Sequence, residues 1–136
     1  MKLDILAFGA HPDDVELSCS GTIIKHVAMG KRVGIIDLTK GELGTRGDAE
    51  TREAEVKAAN KILGIKFREN MNLADAFFSN SKENRLALVV KIRKYTPEII
   101  LATALNDRHP DHGRAARLVS DACFLDRKST RLNSSH

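Results

Sequence analysis

Leu3 to Ala10 and Val33 to Leu38 are almost uninterrupted apolar runs. A strand buried on both faces reads this way, whereas a strand with one solvated face alternates. Such strands need a covering layer above and below. Between the two runs, Gly21 to Met29 places Ile23, Ile24 and Val27 on one side, and Gly30 stands where a helix-ending C′ residue belongs. The chain therefore opens strand, helix, strand.

The alternation continues. Asp48 is placed to cap a helix whose Ala54, Ala58, Ala59, Ile62 and Leu63 form a stripe, with Gly64 as its terminator. Ile65 to Arg68 reads as a short strand. A helix from about Lys82 to Tyr95 is expected to turn Leu86, Val89 and Val90 inward before Pro97 stops it, and Ile99 to Ala104 is the fourth strand. A last helix after Pro110 turns Ala115, Leu118, Val119 and Ala122 inward. Four strands alternating with four helices predict right-handed crossovers, hence a Rossmann-like α/β fold with a parallel sheet flanked by helices. With strand order 3-2-1-4, strands 1 and 4 are neighbours at the switch point, where such sheets bind ligands beyond their carboxyl ends.

A length of 136 residues suits one domain, expected over 1–125. From Asp126 the apolar period disappears, so 126–136 is expected to be a disordered, non-native tail. Those last eleven residues supply +2 of the formal net charge of +4, and elsewhere Lys and Arg are interleaved with Asp and Glu. That pattern is a solvated surface, not a phosphate-tracking patch, and no nucleic-acid partner is expected. No apolar run approaches the roughly 18–20 residues of a membrane span, and the first residues lack a signal-peptide layout. No membrane partner is expected, and the cytoplasm is the default location. Cys19 and Cys123 have no CxxC spacing, which argues for buried free thiols over a disulfide framework or thiolate metal site.

The chemistry is concentrated in two segments. Gly9-Ala10-His11-Pro12-Asp13-Asp14-Val15-Glu16 follows the first strand, and Asn106-Asp107-Arg108-His109-Pro110-Asp111-His112 follows the fourth. One His-Pro-Asp in a loop is ordinarily a turn with a capping aspartate. Two at the carboxyl ends of adjacent strands bring imidazoles and carboxylates to one crevice, the donor mixture that a borderline metal such as zinc takes while keeping a position open for water. The Lys40 to Gly47 loop has glycines but no Walker ending, so it reads as a rim over the site and not as a phosphate cradle. Phe77 and Phe78 suit either a pocket wall or the core.

His-Pro-Asp-Asp-x-Glu paired with His-Pro-Asp-His resembles the PIG-L or LmbE-like zinc deacetylases over about residues 1–125. Gly9–Ile23, Val33–Gly47, Arg68–Phe78 and Ile92–Leu125 are most similar to the bacillithiol biosynthesis deacetylases, which convert N-acetylglucosaminyl-malate to glucosaminyl-malate and acetate. The resemblance implies one Zn²⁺ per chain on His11, Asp14 and His112, although Fe²⁺ suits the same donors. It implies Asp13 as general base and His109 as the group that steadies the oxyanion or protonates the leaving amine, with Asp111 holding the His109 imidazole. Arg52 matches a family arginine near the substrate, and Arg108 is placed to pair with a malate carboxylate. The implied partner is a small N-acetylated sugar conjugate, in a homo-oligomer. Family members run further than the resemblance does, so the chain is expected to be the N-terminal, larger part of such an enzyme. Three alternatives stay open: a deacetylase of another N-acetylglucosaminide, a two-metal phosphoesterase, and an inactive metal-binding fragment.

Overall fold

A computed structural model describes residues 1–128. The elements run β1 (Ile5–Gly9), α1 (Asp14–Ala28), β2 (Val33–Thr39), α2 (Ala49–Leu63), β3 (Phe67–Leu73), α3 (Lys82–Tyr95), β4 (Ile99–Leu101) and α4 (Pro110–Lys128). The sheet is parallel, as the alternation of elements predicted, and its order is β3-β2-β1-β4. Ile5 is registered with Val33 on one side and Ile99 on the other, which puts β1 at the centre and makes its carboxyl end a neighbour of that of β4.

All five residues of β1 and all seven of β2 are buried, as continuous apolar runs require. One face of the sheet joins α3 and α4 through Leu6, Phe8, Ile36, Leu38, Leu88, Ile92, Leu118 and Val119. The other meets α1 and α2 through Ile5, Ala7, Ile35, Ile23 and Leu63.

Several local expectations change. Helix α1 begins at Asp14 and bends at Cys19 (φ −145°, ψ 25°). Ser18 Oγ donates to the Asp14 carbonyl at 2.7 Å and Cys19 Sγ to that of Val15 at 3.4 Å, side-chain bonds of the kind that bend helices. Ile24 is exposed. Asp48 caps α2 by accepting the Thr51 N–H at 2.7 Å, and Gly64 ends it with φ 75°. The inward face of α2, however, is Arg52, Val56, Ala59, Asn60 and Leu63, while Ala54, Ala58 and Ile62 are exposed. Two polar residues face inward because they have partners there, as shown below. The buried face of α3 is Leu88, Val89, Ile92 and Tyr95, with Leu86 and Val90 turned outward. Strand β3 extends to Leu73, and β4 stops at Leu101, short of Ala104. Helix α4 carries Ala115, Leu118, Val119 and Ala122 inward as expected, and continues to Lys128, so Asp126–Lys128 are helical and not disordered. The rest of the expected tail, 129–136, lies outside the described residues.

Candidate active site

Because β1 and β4 are adjacent, the loops leaving their carboxyl ends share one crevice. Thr39 anchors the first loop. Its N–H and Oγ1 both donate to the Ala10 carbonyl (3.0 and 2.9 Å), while Oγ1 accepts the Gly41 N–H at 3.0 Å. The residue before His11 and the start of the 41–47 loop are thus held at one point. A Cβ on Gly9 would press on Asp14 Cβ and Val15 Cγ2 at 3.2 Å, so α1 closes on the end of β1 because residue 9 has no side chain. Asp13 takes φ 129°, a conformation that costs an L side chain about 1–3 kcal/mol and that persists where its surroundings enforce it.

Asp14 Oδ2 is the centre of the cluster. It accepts the His11 backbone N–H at 2.9 Å and lies 3.3 Å from His11 Nδ1 and 3.2 Å from His112 Nε2. Four ligands about 2.0–2.1 Å from one ion in a tetrahedron are about 3.3–3.4 Å apart, so these donors have the spacing of a metal triad. A second group, His11, His109 and Asp111, also gathers one donor atom each. Its His11 Nε2–Asp111 Oδ2 distance of 2.8 Å is that of a hydrogen bond rather than of two ligands on one ion. The donor chemistry and the spacing both fit a metal on His11, Asp14 and His112.

Carboxylates orient the two imidazoles from behind. His11 Nε2 faces Asp111 Oδ2 at 2.8 Å and Asp75 Oδ1 at 3.1 Å, and His112 Nδ1 faces Asp107 Oδ2 at 3.0 Å. A carboxylate on the far nitrogen fixes a ligand's tautomer and raises its basicity. Asp111 is 1 % exposed, and it also accepts the Ala76 N–H at 3.1 Å and Arg114 Nη1 at 3.0 Å. The expectation that Asp111 holds the His109 ring is therefore corrected: its carboxylate goes to His11, and only its backbone N–H reaches His109, at Nδ1 (3.1 Å). With Nδ1 accepting, a neutral His109 carries its proton on Nε2, which leaves that nitrogen a donor.

Carboxylates dominate the electrostatics of the cluster. The Asp14 hydrogen bond, opposed by burial and reinforced by Asp111 and Asp75, pushes the His11 imidazole up to about 9. Burial works against charge on Asp14, but hydrogen bonds from His11 and the nearby His112 hold its carboxyl below the usual range. Asp13 goes the other way, raised by desolvation and then by the like charges of Asp14 and Glu16. His11, Asp13, Asp14, His109 and His112 all line one cavity of about 830 Å³.

Residues 6–123 match the family described as PIG-L, GlcNAc-PI de-N-acetylase. The chain belongs to the PIG-L family. Among curated relatives it is 34% identical over 125 residues to the uncharacterized deacetylase YaiS of Escherichia coli, covering 88% of this chain and 67% of the relative. It is 32% identical to the diacetylchitobiose deacetylase of Thermococcus kodakarensis (87% and 48%) and 28% to a probable N-acetyl-alpha-D-glucosaminyl L-malate deacetylase 2 of Bacillus anthracis (87% and 58%). The conserved protein TT1542 of Thermus thermophilus shares its structure at TM-score 0.87 and 44% identity over 90% of this chain and 56% of that one. GalB, a 4-carboxy-2-hydroxymuconate hydratase of Pseudomonas putida, is also similar, at TM-score 0.81 and 27% identity (92% and 57%). The chain thus spans about half to two thirds of the length of these proteins.

In this PIG-L chain the other expected residues divide. The Arg52 guanidinium donates to the Gly41 carbonyl and, at 2.9 Å, to that of Arg46, and it lines the cavity. A Cβ on Gly44 would run into it. Arg52 is therefore a clamp on the 41–47 loop as well as part of the cavity wall. Arg108 is exposed and outside the cavity wall, whereas Arg46 lines it. Phe78 belongs to the core, and Phe77 is exposed and outside the cavity wall. Glu16 also lines the cavity and joins a buried charge cluster with Arg68 and Asp37.

Sequence reasoning missed Asp75 and Asp107. Asp107 had a usable signal, a carboxylate five residues before a candidate ligand on the same loop. Asp75 had none, because its partners at 11 and 43 are set only by the fold. Among the described residues, no helix is long and apolar enough to cross a membrane.

Proposed function

We propose that this chain carries the metal-binding half of a hydrolase that removes acetate from an N-acetylglucosaminyl conjugate, with N-acetylglucosaminyl-malate as the substrate. The observation that carries this reading is Asp14 Oδ2 lying 3.3 Å from His11 Nδ1 and 3.2 Å from His112 Nε2, on a cavity that Asp13 and His109 also line. These three side chains would hold a Zn²⁺ or Fe²⁺, which would supply Lewis acidity to a water and to the amide carbonyl. Asp13, next to a ligand and raised above the ordinary carboxylate range, is suited to take a proton from the attacking water. His109, with Nδ1 occupied by the Asp111 N–H, is suited to donate from Nε2 to the developing oxyanion or to the leaving amine. Asp111, Asp75 and Asp107 hold the ligating imidazoles. No second cluster completes a two-metal clamp among the described residues, because both candidate groups share His11. A single-ion hydrolase is thus favoured over a phosphoesterase.

Arg46 and Arg52 on the cavity wall support an aglycone that bears a carboxylate, such as malate. The higher identity to the diacetylchitobiose deacetylase favours a second sugar as the alternative aglycone. Acetate release from N-acetylglucosaminyl-malate and from N,N′-diacetylchitobiose, measured beside zinc content per chain, tests the reading. About one zinc, lost in His112→Ala, and turnover of the malate conjugate are expected. Zinc retained at full occupancy in His112→Ala would overturn the ligand set, and preferential turnover of the disaccharide would overturn the aglycone. A cytoplasmic, homo-oligomeric enzyme completes the proposal.

A further inference from the structure

Asp75 is distant in sequence from both His-Pro-Asp segments, yet its carboxylate, 7 % exposed, joins the metal cluster to the rim. Oδ1 is 3.1 Å from His11 Nε2, and Oδ2 accepts the Leu43 N–H at 2.9 Å. The Asp75 backbone N–H donates to Glu42 Oε2 at 2.9 Å, so two consecutive rim residues are tied to this one position. The rim has a second tether at Arg52, which donates to the Gly41 and Arg46 carbonyls. Gly41 (φ 61°) and Gly47 (φ 72°) bound the tethered stretch with backbone that other residues rarely adopt.

We propose that Asp75 is a positioning residue that couples the order of the 41–47 rim to the orientation of the His11 imidazole. A buried carboxylate is stable when both oxygens have donors, and loss of one leaves a group that must turn towards water. The Leu43 amide donates to Oδ2 of Asp75, while Oδ1 lies against His11 Nε2 at 3.1 Å as a charge contact, so each contact holds the carboxylate in the pose the other needs. Asp111 takes the His11 Nε2 hydrogen bond and has further donors in the Ala76 N–H and Arg114, neither of which belongs to the rim. Asp75 thus connects the His11 side chain to the rim, beside the Thr39 contact that holds the Ala10 backbone to Gly41. Fixing His11 and closing the rim become one event, and water access to the site then follows the state of its metal ligand. The link to catalysis rests on the deacetylase reading; the link between His11 and the rim does not.

Amide hydrogen exchange at Leu43, followed by NMR on metal-free protein, reads the rim-side bond directly. Asp75→Ala is expected to speed Leu43 exchange about tenfold, the worth of one hydrogen bond. His11→Ala, which removes no hydrogen bond made to the rim, is expected to speed it several-fold, and the double variant is expected to match Asp75→Ala alone. Asp75→Asn keeps an acceptor for Leu43 but loses the charge behind His11, so it should restore Leu43 protection while weakening zinc affinity about 10- to 100-fold. If Asp75→Ala does not fold, His11→Ala and Asp75→Asn decide the matter. Wild-type exchange at Leu43 in folded His11→Ala, or single effects that multiply in the double variant, would overturn the coupling. A wild type that binds no zinc would sink only the deacetylase reading, because the exchange cycle needs no metal.

Discussion

Arg68 and Glu69 are consecutive residues of β3, point to opposite faces of the sheet, and hold charge in opposite ways. Towards α1 and α2, Arg68 spends five N–H donor bonds: two on Asp37 (2.8 and 3.1 Å), two on Glu16 (3.1 and 3.2 Å) and one on Asn60 (3.1 Å). Its side chain is 5 % exposed and that of Asp37 3 %. Towards α3, Glu69 accepts from Lys91 at 2.7 Å, Lys94 at 3.2 Å and the Tyr95 hydroxyl, but Lys94 is half exposed. The buried cluster sits on the sheet face that α1 and α2 cover, where Leu63 is the only fully buried side chain of α2. The exposed cluster borders the face where α3 and α4 bury their leucines, isoleucine and valines. Beside the site, directed polar contacts add to a smaller apolar cluster in holding the layers; on the other face, the larger apolar cluster does so. Glu16, three residues after Asp13, carries the buried cluster into the metal loop, so that loop rests on charge pairing as well as on the packing of Val15.

The largest expected effect follows from that difference. Arg68→Ala leaves Asp37 and Glu16 without their cation in a dry environment, and breaking a buried pair by deleting one partner costs about 3–5 kcal/mol. Urea unfolding should show this loss, and much of it should return when Asp37→Leu is combined with Arg68→Met, which replaces the inner pair by apolar volume. A loss below about 1 kcal/mol for Arg68→Ala would mean that water reaches the cluster, and the contrast between the faces would fail. On the other face, Leu118→Ala should cost about 2–5 kcal/mol through the cavity it leaves, since Leu118 is fully buried. That cost should not change with pH, whereas the Arg68→Ala cost should shrink in acid. Burial outweighs Arg68 and lifts Asp37 to about 6, so Asp37 is already taking up a proton below that pH.

The same contrast governs what was readable in the sequence. Strands β1 and β2 were legible because apolar burial on both faces writes a continuous run, and the parallel sheet because strands alternate with helices. That the two His-Pro-Asp segments meet in one crevice was legible because both sit at strand ends, while the choice of His11, Asp14 and His112 within them was what the family resemblance implied. Strand β3 was read as ending at Arg68 because Glu69 and Asn70 look like loop residues until their partners, Lys91 and the Thr39 carbonyl, are placed beside them by the fold. Helix α2 was turned to the wrong face for the same reason. Alanines suggested one stripe, while the true inward face includes Arg52, which clamps the rim, and Asn60, which meets Arg68. Polar residues satisfied by distant partners carry no periodic signal, and in this chain they surround the site.

Glu69→Gln should have a smaller effect, about 1 kcal/mol or less near neutral pH, as a partly exposed ion cluster gives. Its signature is the pH window. Pairing with Lys91, Tyr95 and Lys94 outweighs desolvation and lowers Glu69 from its ordinary 4.5 to about 2. The unfolded chain therefore binds the proton first, and the stability Glu69 contributes is present above about 4.5 and lost as the pH falls towards 2. Asp37, raised from 3.8 to about 6, has the opposite sign: the folded chain binds the proton first, and its contribution falls as the pH rises through that window. Thermal unfolding from pH 2 to 7 should show Glu69→Gln flattening the acid limb, while Asp37→Asn changes the slope between about 4 and 6. Identical profiles for the two variants would erase the distinction between the clusters.

The smallest effect belongs to the outer side of α2. Ile62 is 78 % exposed on a helix whose inward face includes Arg52 and Asn60, so replacing it removes almost no buried area. Ile62→Lys also exchanges a β-branched residue for a better helix former. The expected change in unfolding free energy is within about 0.5 kcal/mol, against several for Leu118→Ala. If Ile62→Lys instead cost as much as a core truncation, α2 would be packed against further apolar surface on its outer side, and the sparse apolar cover of the α1 and α2 face would belong to this stretch of chain rather than to the folded protein.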